Sequence, residues 1–125
     1  MTTCLIVDDS PTIRKIMHRI MQDLNFECME AENGQEAYDI CMNTMPDLIM
    51  LDWNMPVMSG IDFLLRLRAM KDGNVPKVLF CTTENGMDFI QRGLSAGADE
   101  YVMKPFDKDV IEMKLQQLGI SPEPA

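Results

Sequence analysis

The chain has 125 residues, 46% of them hydrophobic and 25% charged, with a net charge of −9; that length suits one domain with a real core. Such an acidic balance argues against direct binding of nucleic acid, whose phosphates need clustered Lys and Arg, and against docking on an anionic membrane. No apolar run approaches the roughly 20 residues of a membrane span.

The start, MTTCLIV, lacks a basic segment and meets Asp8-Asp9 too soon for a signal peptide, so a cytoplasmic location is expected. CLIV (4–7) predicts a first strand. Ser10 suits an N-cap and Pro11 the first helical position, and Ile13, Ile16, Met17, Ile20 and Leu24 then recur at helical spacing until Asn25. FECMEA (26–31) alternates as an edge strand does. ENG (32–34) turns into a second helix with Ala37, Ile40 and Cys41, which stops before Pro46. LIML (48–51) is a third strand, and Ser59-Gly60 opens a third helix with Ile61, Leu64, Leu65 and Leu67. GNVP (73–76) breaks the chain, VLFC (78–81) is a fourth strand, and residues 84–96 form a weaker helix interrupted by Gly86 and Gly93. YVM (101–103) is a fifth strand. Pro105-Phe106-Asp107 leads into a last helix with Val110, Ile111, Leu115 and Leu118. Residues 1–120 thus make one domain and SPEPA (121–125) a frayed tail. Cys4, Cys28, Cys41 and Cys81 form no CxxC and read as reduced, mostly buried thiols.

Solid apolar strands alternating with amphipathic helices predict an α/β fold with a parallel sheet covered on both faces. Right-handed crossovers and an edge position for the alternating second strand favour the flavodoxin-like doubly wound (βα)5 order 2-1-3-4-5. Ligands of such sheets bind beyond the carboxyl ends of the strands, where strands 1 and 3 part. The first strand ends there on Asp8-Asp9 and the third on Asp52. Any one of these aspartates alone reads as a helix cap. Together they would repel one another unless a cation sat between them, and Mg²⁺ suits a site of few carboxylates, waters and a phosphate. Strand 4 adds Thr82 or Thr83 and strand 5 adds Lys104. Carboxylates with a divalent ion, a hydroxyl and an ammonium are the groups needed to transfer a phosphoryl group onto a carboxylate.

LIVDDS, DWNMPVMSG, CTTE and GADEYVMKPF, in that order, resemble a response-regulator receiver domain of two-component signalling, most nearly the stand-alone chemotaxis CheY type. The resemblance runs from residue 3 to about 119. It implies that Asp52 is the phosphorylated residue, that Asp9 binds Mg²⁺ directly and Asp8 largely through water, and that Asn54 offers its backbone carbonyl to the metal. It implies further that Thr82 contacts the phosphoryl group, that Lys104 pairs with it, that the Lys104–Pro105 bond is cis, and that Tyr101 changes rotamer on activation. Gly60 and Ala96-Gly97-Ala98 match turn positions. Thr83 departs from the smaller residue common there, which bears on the rates of phosphorylation and dephosphorylation. Asn54 and Glu84 flank the site and imply a short-lived phosphoryl group.

The implied function is a single-domain response regulator that accepts phosphate from a histidine kinase or histidine phosphotransferase and switches binding to a target protein, in chemotaxis-like or phosphorelay signalling. It is a signalling module that promotes its own phosphorylation and dephosphorylation, not a conventional enzyme. No effector domain follows residue 120, so a monomer acting through protein contact is expected. The first helix, with Arg14, His18 and Met21 off its apolar face, is a candidate donor surface; His18 itself reads as inert. The fourth helix, fifth strand and fifth helix are the candidate target surface, and Met17, Met21, Met87 and Met113 are methionines that could reach a docking face. Two other classes compete. A haloacid-dehalogenase-type phosphatase wants a second Asp two residues beyond the nucleophile, where Asn54 stands, and a cap domain that 125 residues cannot hold. A flavodoxin-like cofactor binder wants a Ser/Thr/Gly-rich phosphate loop where DDSPTI places carboxylates.

Overall fold

The computed structural model describes residues 2–53, 55–83, 87–104 and 106–120, with Met87 described by its backbone alone. Five strands and five helices alternate: β1 (Thr3–Val7), α1 (Pro11–Asp23), β2 (Glu27–Ala31), α2 (Gly34–Asn43), β3 (Leu48–Asp52), α3 (Gly60–Ala69), β4 (Lys77–Thr82), α4 (Met87–Ala96), β5 (Glu100–Met103) and α5 (Lys108–Gln117). All pairs are parallel and the sheet runs β2-β1-β3-β4-β5, the expected flavodoxin-like order. Caps explain several helix starts. Ser10, Asn33, Ser59 and Asp107 each accept a hydrogen bond from the backbone N–H three residues on.

The solid apolar strands divide their residues between two faces with a period of two. Leu5, Val7, Ile49, Leu51, Val78 and Phe80 pack with α2, α3 and α4. Cys4, Ile6, Leu48, Met50, Leu79 and Cys81 pack with α1 and α5. No cysteine is paired. Burial pushes the Cys28 and Cys41 thiols up to about 11, which keeps them protonated and poorly nucleophilic.

Two helix faces differ from expectation. Ile16 is 49% exposed and Leu65 is 53% exposed, whereas Met21 and Phe63 are fully buried. Successive helical residues turn by about 100°, so a buried line through Met17, Met21 and Leu24 leaves Ile16 off its edge, and one through Phe63, Leu64 and Leu67 turns Leu65 outward. Met17 and Met21 are therefore buried, whereas Met113 is 49% exposed and reaches the surface. Gly93 does not interrupt α4. It lets the helix sit close to the sheet, since a Cβ there would lie 3.0 Å from the Phe80 ring and 3.2 Å from that of Trp53. The expected start of that helix, with Glu84 and Gly86, and the tail after Ile120 lie outside the described residues. Among the described residues no helix is long and apolar enough to cross a membrane.

Candidate functional site

β1 and β3 are neighbours, with Val7 opposite Leu51, so the next residues along each strand, Asp8 and Asp52, leave the sheet side by side. Strand alternation puts both on the face covered by α1 and α5. Lys104 follows β5 and shares that parity with Val102, which packs against the same helices. The peptide N–H of Lys104 donates to Thr82 O at 2.8 Å, which ties its position to the end of β4. Its ammonium reaches across, 2.9 Å from Asp8 Oδ2 and 3.1 Å from Asp52 Oδ1.

The carboxylates are further held by backbone. Ser10 N–H donates to Asp8 Oδ1 at 2.9 Å, and Trp53 N–H donates to Asp52 Oδ1 at 2.9 Å. Asp8 and Asp52 are buried and Asp9 is exposed. Burial raises the Asp52 pKa above the usual aspartate value; the Lys104 charge pulls the other way, and the Asp8 and Asp9 charges add to the rise. For Lys104 burial works against the charged form, but its hydrogen bond to Asp8 and the charge of Asp52 outweigh it, and its pKa is raised.

Asp8, Asp9 and Asp52 each offer a carboxylate oxygen, all within 4.8 Å of one another. One lysine faces three carboxylates there. An all-oxygen, net-negative donor set with one exposed member fits a hard divalent cation that keeps several waters, as Mg²⁺ does.

Thr82 is 4% exposed and shares strand parity with Phe80, so it belongs to the face under α4. Tyr101 lies opposite Phe80 on β5 and is half-buried. Thr82, Tyr101, Trp53, Phe80 and Phe89 line one small cavity beneath α4. The Lys114 ammonium sits 4.9 Å from the centre of the Tyr101 ring, a cation–π contact. Thr83 is exposed and borders a groove with Ile13, Ile16, Met17, Lys104 and Phe106. Asn54, Glu84 and Pro105 lie outside the described residues, as does the side chain of Met87.

Several contacts were not foreseen from sequence. Trp53 is 8% exposed and seats α4, with ring centres 5.0 Å from Phe80 and 5.5 Å from Phe89 and the Arg92 guanidinium 5.7 Å away. Arg14 does not face outward for docking. It bonds the main-chain carbonyl of Asp8 at 2.7 Å and Glu30 at 3.2 Å. His18 is likewise engaged, with Nδ1 2.7 Å from Glu30 Oε2. An arginine five residues beyond Asp9 was the only trace of this in the sequence.

The chain matches the response regulator receiver domain family over residues 4–116. It belongs to that family. Chemotaxis protein CheY1 of Helicobacter pylori is 36% identical over 114 residues, which cover 90% of this chain and 92% of that protein. CheY of Pseudomonas aeruginosa is 37% identical over 115 residues, covering 91% and 93%. The phosphate regulon transcriptional regulatory protein PhoB of the same organism is 36% identical over 114 residues, but the receiver spans 50% of its length. The high-resolution structure of the Vibrio cholerae chemotaxis response regulator CheY4 superposes with a TM-score of 0.89 at 33% identity, covering 94% of this chain and 98% of that one. Membership of the receiver family sets aside the phosphatase and flavodoxin readings.

Proposed function

We propose that this receiver is a single-domain response regulator of chemotaxis-like or phosphorelay signalling, in which Asp52 accepts a phosphoryl group from a phosphohistidine of a histidine kinase or phosphotransferase. The observation that carries the reading is the meeting of Asp8, Asp9 and Asp52 within 4.8 Å, with Lys104 bridging Asp8 and Asp52. Coverage of 92% and 93% of two CheY relatives supports a receiver module of residues 1–120 that acts through protein contact, and we infer a monomer in the cytoplasm that does not bind nucleic acid.

In the transfer, a carboxylate oxygen of ionised Asp52 attacks phosphorus in line with the departing imidazole nitrogen. The O–P bond forms as the P–N bond breaks, and the imidazole keeps the electron pair and takes a proton from water. Asp9 would hold Mg²⁺ directly, Asp8 largely through water, and Asn54 by its carbonyl; when bound, the ion neutralises charge on the phosphoryl oxygens. Lys104 exchanges its contact with Asp52 Oδ1 for a phosphoryl oxygen. The Thr82 hydroxyl donates to another, and Tyr101 follows into the cavity beneath α4. The surface of α4, β5 and α5 then changes shape and binds the target. Hydrolysis of the acyl phosphate at the same site resets it, with Thr83 and Glu84 bearing on its rate.

A phosphorylated histidine kinase with Mg²⁺ should label the chain with a phosphate that is stable to acid and labile to base. The Asp52→Asn variant should take up none. Equal labelling of that variant would refute the assignment.

A further inference from the structure

The acidic pair is held from behind by a residue of α1. Arg14 has a side chain only 15% exposed. Its Nη1 donates to the main-chain carbonyl of Asp8 at 2.7 Å, and its Nε donates to Glu30 Oε1 at 3.2 Å. Glu30 Oε2 is in turn 2.7 Å from His18 Nδ1. Helix geometry brings the arginine there: Arg14 N–H donates to Ser10 O at 3.0 Å, so the loop it bonds is the one from which its own helix starts.

We infer that Arg14 is a positioning residue for the metal site, fixing the peptide that joins Asp8 to Asp9 and thereby aiming the Asp9 carboxylate. This rests on the metal reading above. The carbonyl of residue 8 and the N–H of residue 9 share one rigid plane. A bond to that oxygen therefore restrains where the Cα of Asp9 sits. Asp8 has other anchors, with its N–H bonded to Ala31 O and its carboxylate held by Ser10 and Lys104. Asp9 follows it with an exposed side chain, so its aim depends on the plane behind it. Glu30 holds the fork of the guanidinium in register, which a lysine could not reproduce because one ammonium lacks the planar pair of donors.

A purely electrostatic role has the opposite sign. A cation beside three carboxylates repels a divalent ion, so its removal alone would tighten metal binding. Positioning requires that removal weaken it.

The test is a titration with MgCl2, far below the thermal midpoint, followed by Trp53 emission and in parallel by calorimetry. Asp9→Ala serves as the control without the exposed carboxylate. Arg14→Met should raise the Mg²⁺ dissociation constant roughly 10-fold, the size seen when partners behind a metal ligand are lost. Arg14→Lys should recover only part of this, and Glu30→Gln, which keeps an acceptor, should lose less than Arg14→Met. Should Arg14→Met fail to fold, Arg14→Lys decides by the same criterion. Unchanged affinity in a folded variant overturns the inference, and so does tighter binding, which leaves only charge repulsion. Absence of any Mg²⁺ response in the wild type overturns the metal reading itself, and with it this role.

Discussion

Asp52 combines two demands that pull apart. In the proposed transfer it is ionised to attack phosphorus, yet it is buried against the Lys104 ammonium. The cost appears as its raised pKa, caused first by burial. For an aspartate whose folded pKa exceeds its unfolded value, the folded state binds the proton more readily. The cost to stability is then fully present above the folded pKa and is relieved as pH falls through it. Asp52→Asn removes the buried charge and leaves Lys104 its bond to Asp8. We expect that variant to be more stable than wild type at neutral pH, by the cost that burial puts on the Asp52 charge. The margin should narrow as the buffer is acidified through the raised Asp52 pKa. Urea denaturation at a series of pH values measures it; a margin that widens on acidification would contradict the burial argument. The candidate site residues were legible because each closes an apolar run, which no packing requirement explains. Arg14 was not, because its partners Asp8 and Glu30 come from two different strands and only the folded chain brings them to one side of α1.

At the scale of elements, the site divides by strand parity. Asp8, Asp52 and Lys104 share the face of α1 and α5, whereas Thr82, Tyr101 and Trp53 belong to the face of α4. A change at Asp52 must cross from one face to the other, and the end of β4 is where it can. A phosphoryl group adds acceptor oxygens, and in the proposed switch drawing Thr82 toward them would enlarge the cavity that Tyr101 borders. The shift can be no larger than the phosphoryl group's differential contact with the two states. Thr82→Ala should accept phosphate yet show target binding that depends little on it. Amide crosspeaks of α4 and β5 should move less on phosphorylation than in wild type. Wild-type shifts in Thr82→Ala would mean that coupling runs elsewhere, with the direct seat of α4 on Trp53 the next candidate. The helix phases were the least legible feature. Ile16 and Leu65 read as core because an apolar residue beside the stripe looks the same as one within it; only the sheet decides which residues lie beneath.

Across the whole molecule, the fold is legible in the sequence where physics is local and repetitive. Four solid apolar runs and one alternating run between amphipathic helices leave little choice but a covered parallel sheet with the alternating strand at its edge. The acidity of the surface is consistent with a protein partner. What the fold adds is convergence: residues as far apart as Asp8 and Lys104 meet at 2.9 Å. That convergence is the ground for assigning the phosphoryl group to Asp52 and to neither of its acidic neighbours. Borohydride reduction of the chain after incubation with acetyl phosphate and Mg²⁺ tests this assignment most directly, since an aspartyl phosphate is reduced to homoserine at the residue that carried it. Peptide sequencing should find homoserine at position 52, dependent on Mg²⁺ and abolished by a chelator. Homoserine at Asp8 or Asp9 instead, or at none of the three, would contradict the account.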